Sequence, residues 1–237
     1  MEQKLSILIV EDEESILHGL VDVFVYHGFA VDTATDGEVG LQKAQTGKYD
    51  LLLLDVMVPR RDGFSICNEI RSLDPRQPIV LLTAKTSEED IITGLTLGAD
   101  DYIAKPFSVR ELVLRVESVL RRSQKVQQRE RTVSFGPSLQ IDTANLVGEL
   151  EGQDAPLPFT RREVDMLLYL RDHNDRPISR DELLAEVWGY VRNAQIETRT
   201  VDIHIAKLRK KIEQDPKNPT LLVTVRGEGY KLELGEE

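Results

Sequence analysis

The residues best suited to chemistry follow apolar runs in the first half of the chain. Asp55 directly follows four leucines in the stretch LLLLDVMVP. An isolated buried charge costs several kcal/mol unless it is paired, hydrated or bound to a metal, so an acid in this place needs a reason. Glu11 and Asp12 follow a second apolar run, and Thr83 and Lys105 follow two more. Three acids together would suit a hard cation such as Mg²⁺, and a lysine with a hydroxyl would suit an anionic phosphoryl group.

The elements that position these residues are predicted by an alternation of apolar runs and amphipathic segments. Short apolar runs, typical of buried parallel strands, lie at 6–10, 30–35, 51–55, 78–83 and 101–104. Helix-like segments lie at 14–26, 37–45, 63–73, 88–94 and 108–122. The alternation predicts an α/β fold, a doubly wound five-stranded parallel sheet with helices on both faces. With the strand order 2-1-3-4-5, the candidate residues all meet at one edge of the sheet.

Each candidate residue also has an ordinary structural explanation. A single acid at the end of a strand most often caps the next turn, and Glu11 with Asp12 could favour the start of the first helix. Thr83 fits strand propensity, and Lys105 fits a solvated surface. These explanations are independent of one another, whereas a single site accounts for all four features at the same sheet edge.

Composition limits the classes of protein that fit the chain. Its 237 residues suffice for two domains, and 41% hydrophobic with 30% charged residues is typical of globular proteins. There is no apolar run of about 18 residues and no apparent secretion signal, and the single cysteine, Cys67, excludes an internal disulfide. We therefore expect a cytoplasmic protein that does not bind membranes. Nearly all of the net charge of −11 lies in residues 1–120, so acidity does not exclude nucleic-acid binding by the second half.

The motifs of the first half are similar to those of a known family. ILIVEDE, LLLLDVMVPRRDG, VLLTA and GADDYIAKPF resemble, in order and spacing, the receiver domain of two-component response regulators. The resemblance covers residues 1–122. It implies that Asp55 accepts a phosphoryl group from a sensor histidine kinase. It also implies a Mg²⁺ site that comprises Glu11, Asp12, Asp55 and Met57.

The same resemblance assigns roles to the residues on the far side of the site. Lys105 would contact the phosphoryl group, and the Lys105–Pro106 peptide bond is expected to be cis. Thr83 and Tyr102 would form a switch pair, in which the hydroxyl moves to the phosphoryl oxygen and the ring turns inward behind it. Such a switch is a local anion-binding event that biases a bistable element.

Receivers of this kind pair through an apolar patch ringed by ion pairs, so the resemblance implies a homodimer on phosphorylation. The residues that correspond to this interface are Ile91, Ile92, Leu95, Asp101, Glu111, Val113 and Arg115. Asp101 with Arg115 matches one expected ion pair. Ile91 stands where a basic partner for Glu111 would be expected, and Thr96 leaves Glu117 without a counter-charge. We therefore expect a more apolar interface with fewer ion pairs.

The second half has a different pattern. Residues 123–131 are polar and are predicted to be a linker, followed by a domain over 132–237. The short runs TVSFG, LQIDTA, NLVGELEG and APLPF predict a small antiparallel sheet, and LLVTVRGEGYKLEL predicts a hairpin. Between them, TRREVDMLLYLRDH, SRDELLAEVWG and ETRTVDIHIAKLRKKIEQ predict three helices. Thr160 with Glu163 and Ser179 with Glu182 have the spacing of capping boxes.

The third of these helices carries the functional signal. At 100° per residue, an apolar stripe comprises Val201, Ile205, Leu208 and Ile212, and the opposite face is basic. A solvated basic face is the usual explanation of such a pattern. However, Ile203 lies in the middle of that face with no packing role, and Arg226 opens the hairpin that follows. A basic helix beside a hairpin favours DNA binding, with the helix in the major groove and the hairpin near the minor groove.

The phrases TRTVDIHIAKLRKKIE and TVRGEGYKLE resemble the winged helix-turn-helix output domain of the OmpR/PhoB family, an α+β fold. By position, the phosphate contacts would be mainly Arg199, Lys207, Lys210 and Arg226, and the base contacts Thr200, Asp202, Ile203 and His204. Arg209 and Thr224 complete the implied DNA-binding set. The segment 189–196 would contact RNA polymerase. Ala206 and Glu228 depart from the family's basic pattern and should weaken non-specific attraction to phosphates.

We therefore interpret the chain as a transcriptional regulator that binds promoter DNA under the control of phosphorylation. It would not be an enzyme beyond slow self-dephosphorylation. A phosphotransferase of the haloacid dehalogenase type also has a nucleophilic Asp after an apolar strand, but it requires a second Asp where this chain has Met57. A DNA-binding regulator that does not depend on phosphorylation is the second alternative. The predicted acidic pocket, which has all of its expected residues, argues against it.

Overall fold

The computed structural model describes residues 4–84, 97–125, 131–188 and 199–235. The chain divides into two compact units, Met1–Gln124 and Lys125–Glu237. Among the described residues, no helix combines the length and the apolar character that a bilayer crossing requires.

The first unit is a doubly wound parallel sheet, as predicted. Its strands are β1 (Ser6–Val10), β2 (Ala30–Ala34), β3 (Leu51–Asp55), β4 (Ile79–Thr83) and β5 (Asp101–Ala104). They are hydrogen-bonded in the order β2-β1-β3-β4-β5, and all pairs are parallel. The described helices are α1 (Glu14–Tyr26), α2 (Gly37–Ala44), α3 (Gly63–Leu73) and α4 (Val109–Lys125). The helix predicted at 88–94 lies outside the described residues.

β3 lies in the middle of the sheet and packs on both of its faces. All four of its leucines are fully buried. Because successive strand side chains point to opposite faces, Leu52 and Leu54 join the apolar cluster that α2 and α3 cover. Leu51 and Leu53 join the cluster that α1 and α4 cover. The run of leucines is therefore explained by a strand between two cores, and it holds Asp55 rigidly at the edge of the sheet.

The second unit has the predicted order of a sheet, helices and a hairpin. The antiparallel sheet comprises β6 (Thr132–Phe135), β7 (Leu139–Asp142), β8 (Val147–Leu150) and β9 (Leu157–Pro158). The helices are α5 (Arg161–Asp172), α6 (Arg180–Leu183), which continues as a π-helical turn over Leu184–Trp188, and α7 (Arg199–Ile212). The hairpin, or wing, comprises β10 (Leu222–Val225) and β11 (Gly229–Leu232). One apolar cluster joins the sheet, the helices and the wing.

The ends of these elements are fixed by side chains that the sequence partly predicted. The Thr160–Glu163 capping box forms completely at the start of α5. At the start of α6, the Ser179 side chain accepts from the backbone N–H of Glu182. The Glu182 carboxylate instead bonds Tyr169 and Arg176, so the described contacts include only half of that predicted box.

Candidate functional site

Three carboxylates converge at the carboxyl edge of the first unit's sheet. Glu11 directly follows β1, and Asp55 is the last residue of β3; both are almost completely buried, whereas Asp12 is exposed. Because β1 and β3 are hydrogen-bonded neighbours, one carboxylate oxygen from each residue lies within 4.8 Å of the others. The structure therefore brings together the three acids that the sequence proposed as one site.

Lys105, which follows β5, reaches into this cluster. Its Nζ donates to Glu11 at 2.7 Å and to Asp55 at 3.0 Å. Burial raises the pKa of Glu11, and Asp55 raises it further, while the bond from Lys105 offsets part of the increase. Burial by itself lowers the pKa of Lys105, but the bonds to both acids outweigh it, so that pKa is raised overall. Lys105 therefore remains a cation at neutral pH.

The charge balance of the cluster fits a divalent cation. Glu11, Asp12 and Asp55 place three carboxylates around one ammonium group, which leaves an excess of negative charge in a partly buried position. Carboxylate oxygens are the hard ligands that Mg²⁺ prefers. The Met57 thioether is exposed and soft, so only the backbone carbonyl of Met57 suits the same ion. The residues present therefore fit the predicted metal site.

Thr83 and Tyr102 lie on neighbouring strands beside the cluster. Thr83 ends β4 and is fully buried, and Tyr102 in β5 is 6% exposed. Tyr102 is in register with Leu81, two residues before Thr83. The Tyr102 ring is packed against the α2–α3 side of the sheet, so the described structure has it in an inward position. The Lys105–Pro106 peptide bond is cis, as expected.

The loop after β3 is fastened to α2 by residues that the sequence analysis missed. Arg61 bonds Glu38 at 3.2 Å and Glu69 at 2.5 Å, so it links the loop to α2 and α3. The backbone N–H of Gly37 donates to the carbonyl of Pro59 in the same loop. The adjacent arginines of the PRRDG motif were the available signal, but their partners are distant in sequence. The contacts fix the loop that carries the Met57 carbonyl.

The residues predicted for the dimer interface are only partly described. Ile91, Ile92 and Leu95 lie outside the described residues. Asp101 and Arg115 form an ion pair within the chain at 3.2 Å, and Arg115 also bonds Glu111 at 2.7 Å. Because position 91 is not basic, Glu111 was expected to lack a counter-charge. The structure supplies one, because Arg115 lies one helical turn away on α4.

Val113 was expected in the exposed apolar patch, and the structure differs. It is 4% exposed and packs in the cluster between the sheet and the helices α1 and α4. The neighbouring Leu114 is 56% exposed instead. The apolar surface of α4 is therefore displaced by one residue from the position that the resemblance implied.

The helix α7 presents the predicted two faces. Val201, Ile205, Leu208 and Ile212 are buried in the core of the second unit. Ile203 and Lys207 are half-buried, and Lys210 is exposed, as are Thr224 and Arg226 of the wing region. The side chains of Arg199 and Thr200 lie outside the described part of the structure. The exposed basic surface thus comprises α7 together with the wing.

Some of the predicted DNA contacts are used inside the second unit. His204 is 2% exposed and packs edge to face on Trp188, with ring centroids 5.0 Å apart. It lies three residues from Val201 on the same side of the helix, so its assignment to base contact does not fit the structure. Arg209 donates to the carbonyl of Leu222 and to Thr224 Oγ1, both at 2.8 Å, and so attaches α7 to the wing.

Asp202 also has partners within the unit rather than a free carboxylate. Its Oδ1 accepts from Arg180 Nε at 2.6 Å and from the Tyr230 hydroxyl at 2.5 Å. Burial, together with the bond to Asp202, raises the pKa of Tyr230 to about 12, so that the hydroxyl remains a donor at neutral pH. This internal pairing links α6, α7 and β11. A base contact by Asp202 would compete with it.

Both halves of the chain match known families. Residues 7–117 match the family described as response regulator receiver domain, and residues 154–232 match transcriptional regulatory protein, C terminal. The alkaline phosphatase synthesis transcriptional regulatory protein PhoP of Bacillus subtilis is 44% identical, with 96% of each chain covered. The sensory transduction protein RegX3 of Mycobacterium tuberculosis is 40% identical over 96% of this chain and 99% of its own.

Solved structures agree with these sequence matches. DrrB, an OmpR/PhoB homologue of Thermotoga maritima, is 29% identical with a TM-score of 0.51, over 97% of this chain and 99% of its own. A mutant of RitR is 27% identical with a TM-score of 0.73, over 98% and 100% of the respective chains. The chain therefore belongs to the two-component response regulators of the OmpR/PhoB family, transcriptional regulators in which a receiver domain precedes a winged-helix DNA-binding domain.

Proposed function

We propose that phosphorylation of Asp55 controls DNA binding by this regulator. The observation that carries the proposal is the position of the Asp55 carboxylate. It ends the central strand, accepts from Lys105 at 3.0 Å and lies within 4.8 Å of the oxygens of Glu11 and Asp12. The phosphoryl donor would be the phosphohistidine of a sensor histidine kinase.

The transfer needs little covalent chemistry from the protein. An Asp55 oxygen attacks the phosphorus in line, the P–O bond forms as the P–N bond to the kinase histidine breaks, and the electron pair leaves with the imidazole. Lys105 would contact a phosphoryl oxygen. The ion pair of its ammonium group with Asp55 supports this role. Thr83, at the end of the adjacent strand, offers a hydroxyl at the same edge of the sheet.

Glu11, Asp12, Asp55 and the backbone carbonyl of Met57 would hold Mg²⁺. When bound, Mg²⁺ supplies charge neutralisation for the transferred group. The loop that carries Met57 is held against α2 by Arg61 and Gly37, and the backbone N–H of Met57 donates to Asp55 Oδ1 at 3.3 Å.

Phosphate incorporation is expected to require Mg²⁺. Treatment of the purified chain with acetyl phosphate and Mg²⁺ should add about one phosphate per chain, and the same treatment with a chelator should add almost none. Intact-mass spectrometry measures both. Incorporation that is equal with and without the metal would contradict the assigned role of the acidic cluster.

Self-dephosphorylation would be slow, and the chain would not turn over other substrates. Met57 has no exchangeable proton, so it cannot serve as the acid/base that a phosphatase of the haloacid dehalogenase type has at this position. Sustained phosphate release from small phosphorylated compounds would instead favour that alternative.

Phosphorylation would act by pairing two receivers and thereby two output domains. Two linked winged helices on repeated half-sites raise the effective concentration of the second contact, so modest domain affinity becomes tight binding. The exposed Leu114 and the pair of Arg115 with Glu111 lie on the α4 side that would take part. The helix α7 would enter the major groove and the wing would approach the minor groove, while 189–196, outside the described residues, would contact RNA polymerase.

Pairing is expected to follow phosphorylation and can be measured directly. Sedimentation of the untreated chain should give the mass of one chain, 26.9 kDa, and treatment with acetyl phosphate and Mg²⁺ should shift it towards twice that mass. A phosphorylated chain that still sediments as a monomer at high concentration would exclude receiver pairing. DNA binding would then have to be regulated within one chain.

A further inference from the structure

Arg180, to which the sequence assigned no role, bonds residues of both the helix α7 and the wing. Its Nε donates to Asp202 Oδ1 at 2.6 Å, and its Nη2 donates to the Tyr230 hydroxyl at 3.0 Å. The guanidinium carbon lies 4.9 Å from the centroid of the Tyr230 ring. Since Tyr230 also donates to Asp202, the three side chains form a closed network across α6, α7 and β11.

One edge of the Arg180 guanidinium is left open by this network. Among the contacts of the described residues, Nη1 makes no hydrogen bond, and 36% of the side chain is exposed. A free arginine side chain has large rotamer entropy, much of which is lost when it binds a ligand. Because three contacts already fix Arg180, little of that entropy remains to be lost on binding.

Other cationic side chains lie on the helix α7 and the wing that Arg180 links. Arg209 also lies over the Tyr230 ring, with its guanidinium carbon 5.7 Å from the centroid. Two guanidinium groups thus lie near one ring, and the Asp202 carboxylate bonds one of them, that of Arg180. Arg226 and Lys210 are exposed on the same wing and helix. A carboxylate or a phosphate group would offset this charge, and guanidinium groups bind the oxygens of both well.

We infer that Arg180 contacts a DNA phosphate through its open Nη1 edge and that Asp202 and Tyr230 are positioning residues that hold it there. The inference rests on the proposed DNA binding. It agrees with the usual geometry of helix-turn-helix proteins, in which the first helix of the motif crosses the DNA backbone while the second enters the major groove. Asp202 thereby supports a contact with the DNA backbone and does not itself contact the bases.

The test measures how salt affects binding of the full-length chain to a short random-sequence DNA duplex, before and after acetyl phosphate treatment. Arg180→Gln should reduce the slope of log affinity against log salt by about 1 and weaken binding about three- to tenfold at moderate salt. Arg176→Gln is the matched control, because Arg176 is exposed in the same unit but pairs with Glu182 and not with Asp202. Its slope should equal that of the wild type.

Asp202→Asn separates a positioning role from simple electrostatics. Removal of a negative charge beside DNA would by itself strengthen binding, whereas loss of the group that orients Arg180 should weaken it about two- to fivefold. The weakening should be absent when Asp202→Asn is added to Arg180→Gln. This nearly isosteric variant also decides the question if thermal unfolding shows that Arg180→Gln is poorly folded.

Two results would overturn the inference. A folded Arg180→Gln variant with the wild-type salt slope would remove Arg180 from the phosphate contacts. An Asp202→Asn variant that binds as tightly as the wild type, or more tightly, would refute the positioning role. If the wild type itself shows no binding to the duplex at low salt in either state, the proposal of DNA binding fails as well, so the two failures are distinguishable.

Discussion

Asp55→Asn is expected to abolish phosphate incorporation from both acetyl phosphate and a kinase. The amide keeps the shape of the carboxylate but has no nucleophilic oxygen anion, so the P–O bond cannot form. The loss should be complete within detection, against about one phosphate per chain in the wild type. Intact-mass spectrometry after incubation with Mg²⁺ provides the measurement. Asp55 is 4% exposed, so the substitution alters a buried position at the sheet edge and not the protein surface.

The matched control for this variant is Asp22→Asn, which changes an exposed acid on α1 in the same unit. It should leave incorporation unchanged. Thermal unfolding of Asp55→Asn should show a single cooperative transition, as in a folded chain. A folded Asp55→Asn chain that still gains a phosphate would place the phosphoacceptor elsewhere and refute the proposed site.

Gly229→Ala is expected to have the largest effect on the stability of the second unit. Gly229 begins β11 with a φ of +139°, a conformation that is essentially restricted to glycine. A Cβ added there would overlap the carbonyl group of Ile178 and lie 2.9 Å from the Cα of Ser179. Strain and overlap together should lower the free energy of unfolding by about 3 kcal/mol or more. Chemical denaturation of the full chain, followed by Trp188 fluorescence, measures the change.

Gly227→Ala is the control for backbone strain without overlap. Gly227 also has a positive φ, +81°, but an added Cβ would meet nothing within 4 Å. It should therefore cost only about 1–2 kcal/mol, the strain of a left-handed residue. Equal losses in the two variants would show that the close approach of β11 to Ile178 does not contribute to stability.

The receiver fold and its acidic site could be predicted because their signals are local. Apolar runs gave β1, β3 and β5 with their observed bounds, and β2 and β4 within one residue. The strand order then placed Glu11, Asp12 and Asp55 at one edge without any knowledge of their rotamers. A site that depends on topology in this way can be found from the sequence, since parallel strands bring their carboxyl ends together.

The partners on the DNA-binding surface could not be predicted, because they come from distant parts of the chain. A helical wheel separates the faces of α7, and it placed Val201 and Ile205 correctly. It cannot show that Asp202 is occupied by Arg180 and Tyr230, or that His204 lies against Trp188. The π-helical turn at Leu184–Trp188 was missed for a related reason. Side-chain periodicity in so short a segment does not separate α from π geometry.

The double burial of β3 has a consequence for how such proteins diversify. Leu51 and Leu53 contact one core, while Leu52 and Leu54 contact the other. A small displacement of the strand end at Asp55 would therefore change the packing beneath the helices on both sides of the sheet. Either side can thus become the surface that reports the state of the pocket, and surface residues there can change without altering the strand. One reactive centre can in this way serve many different partner surfaces.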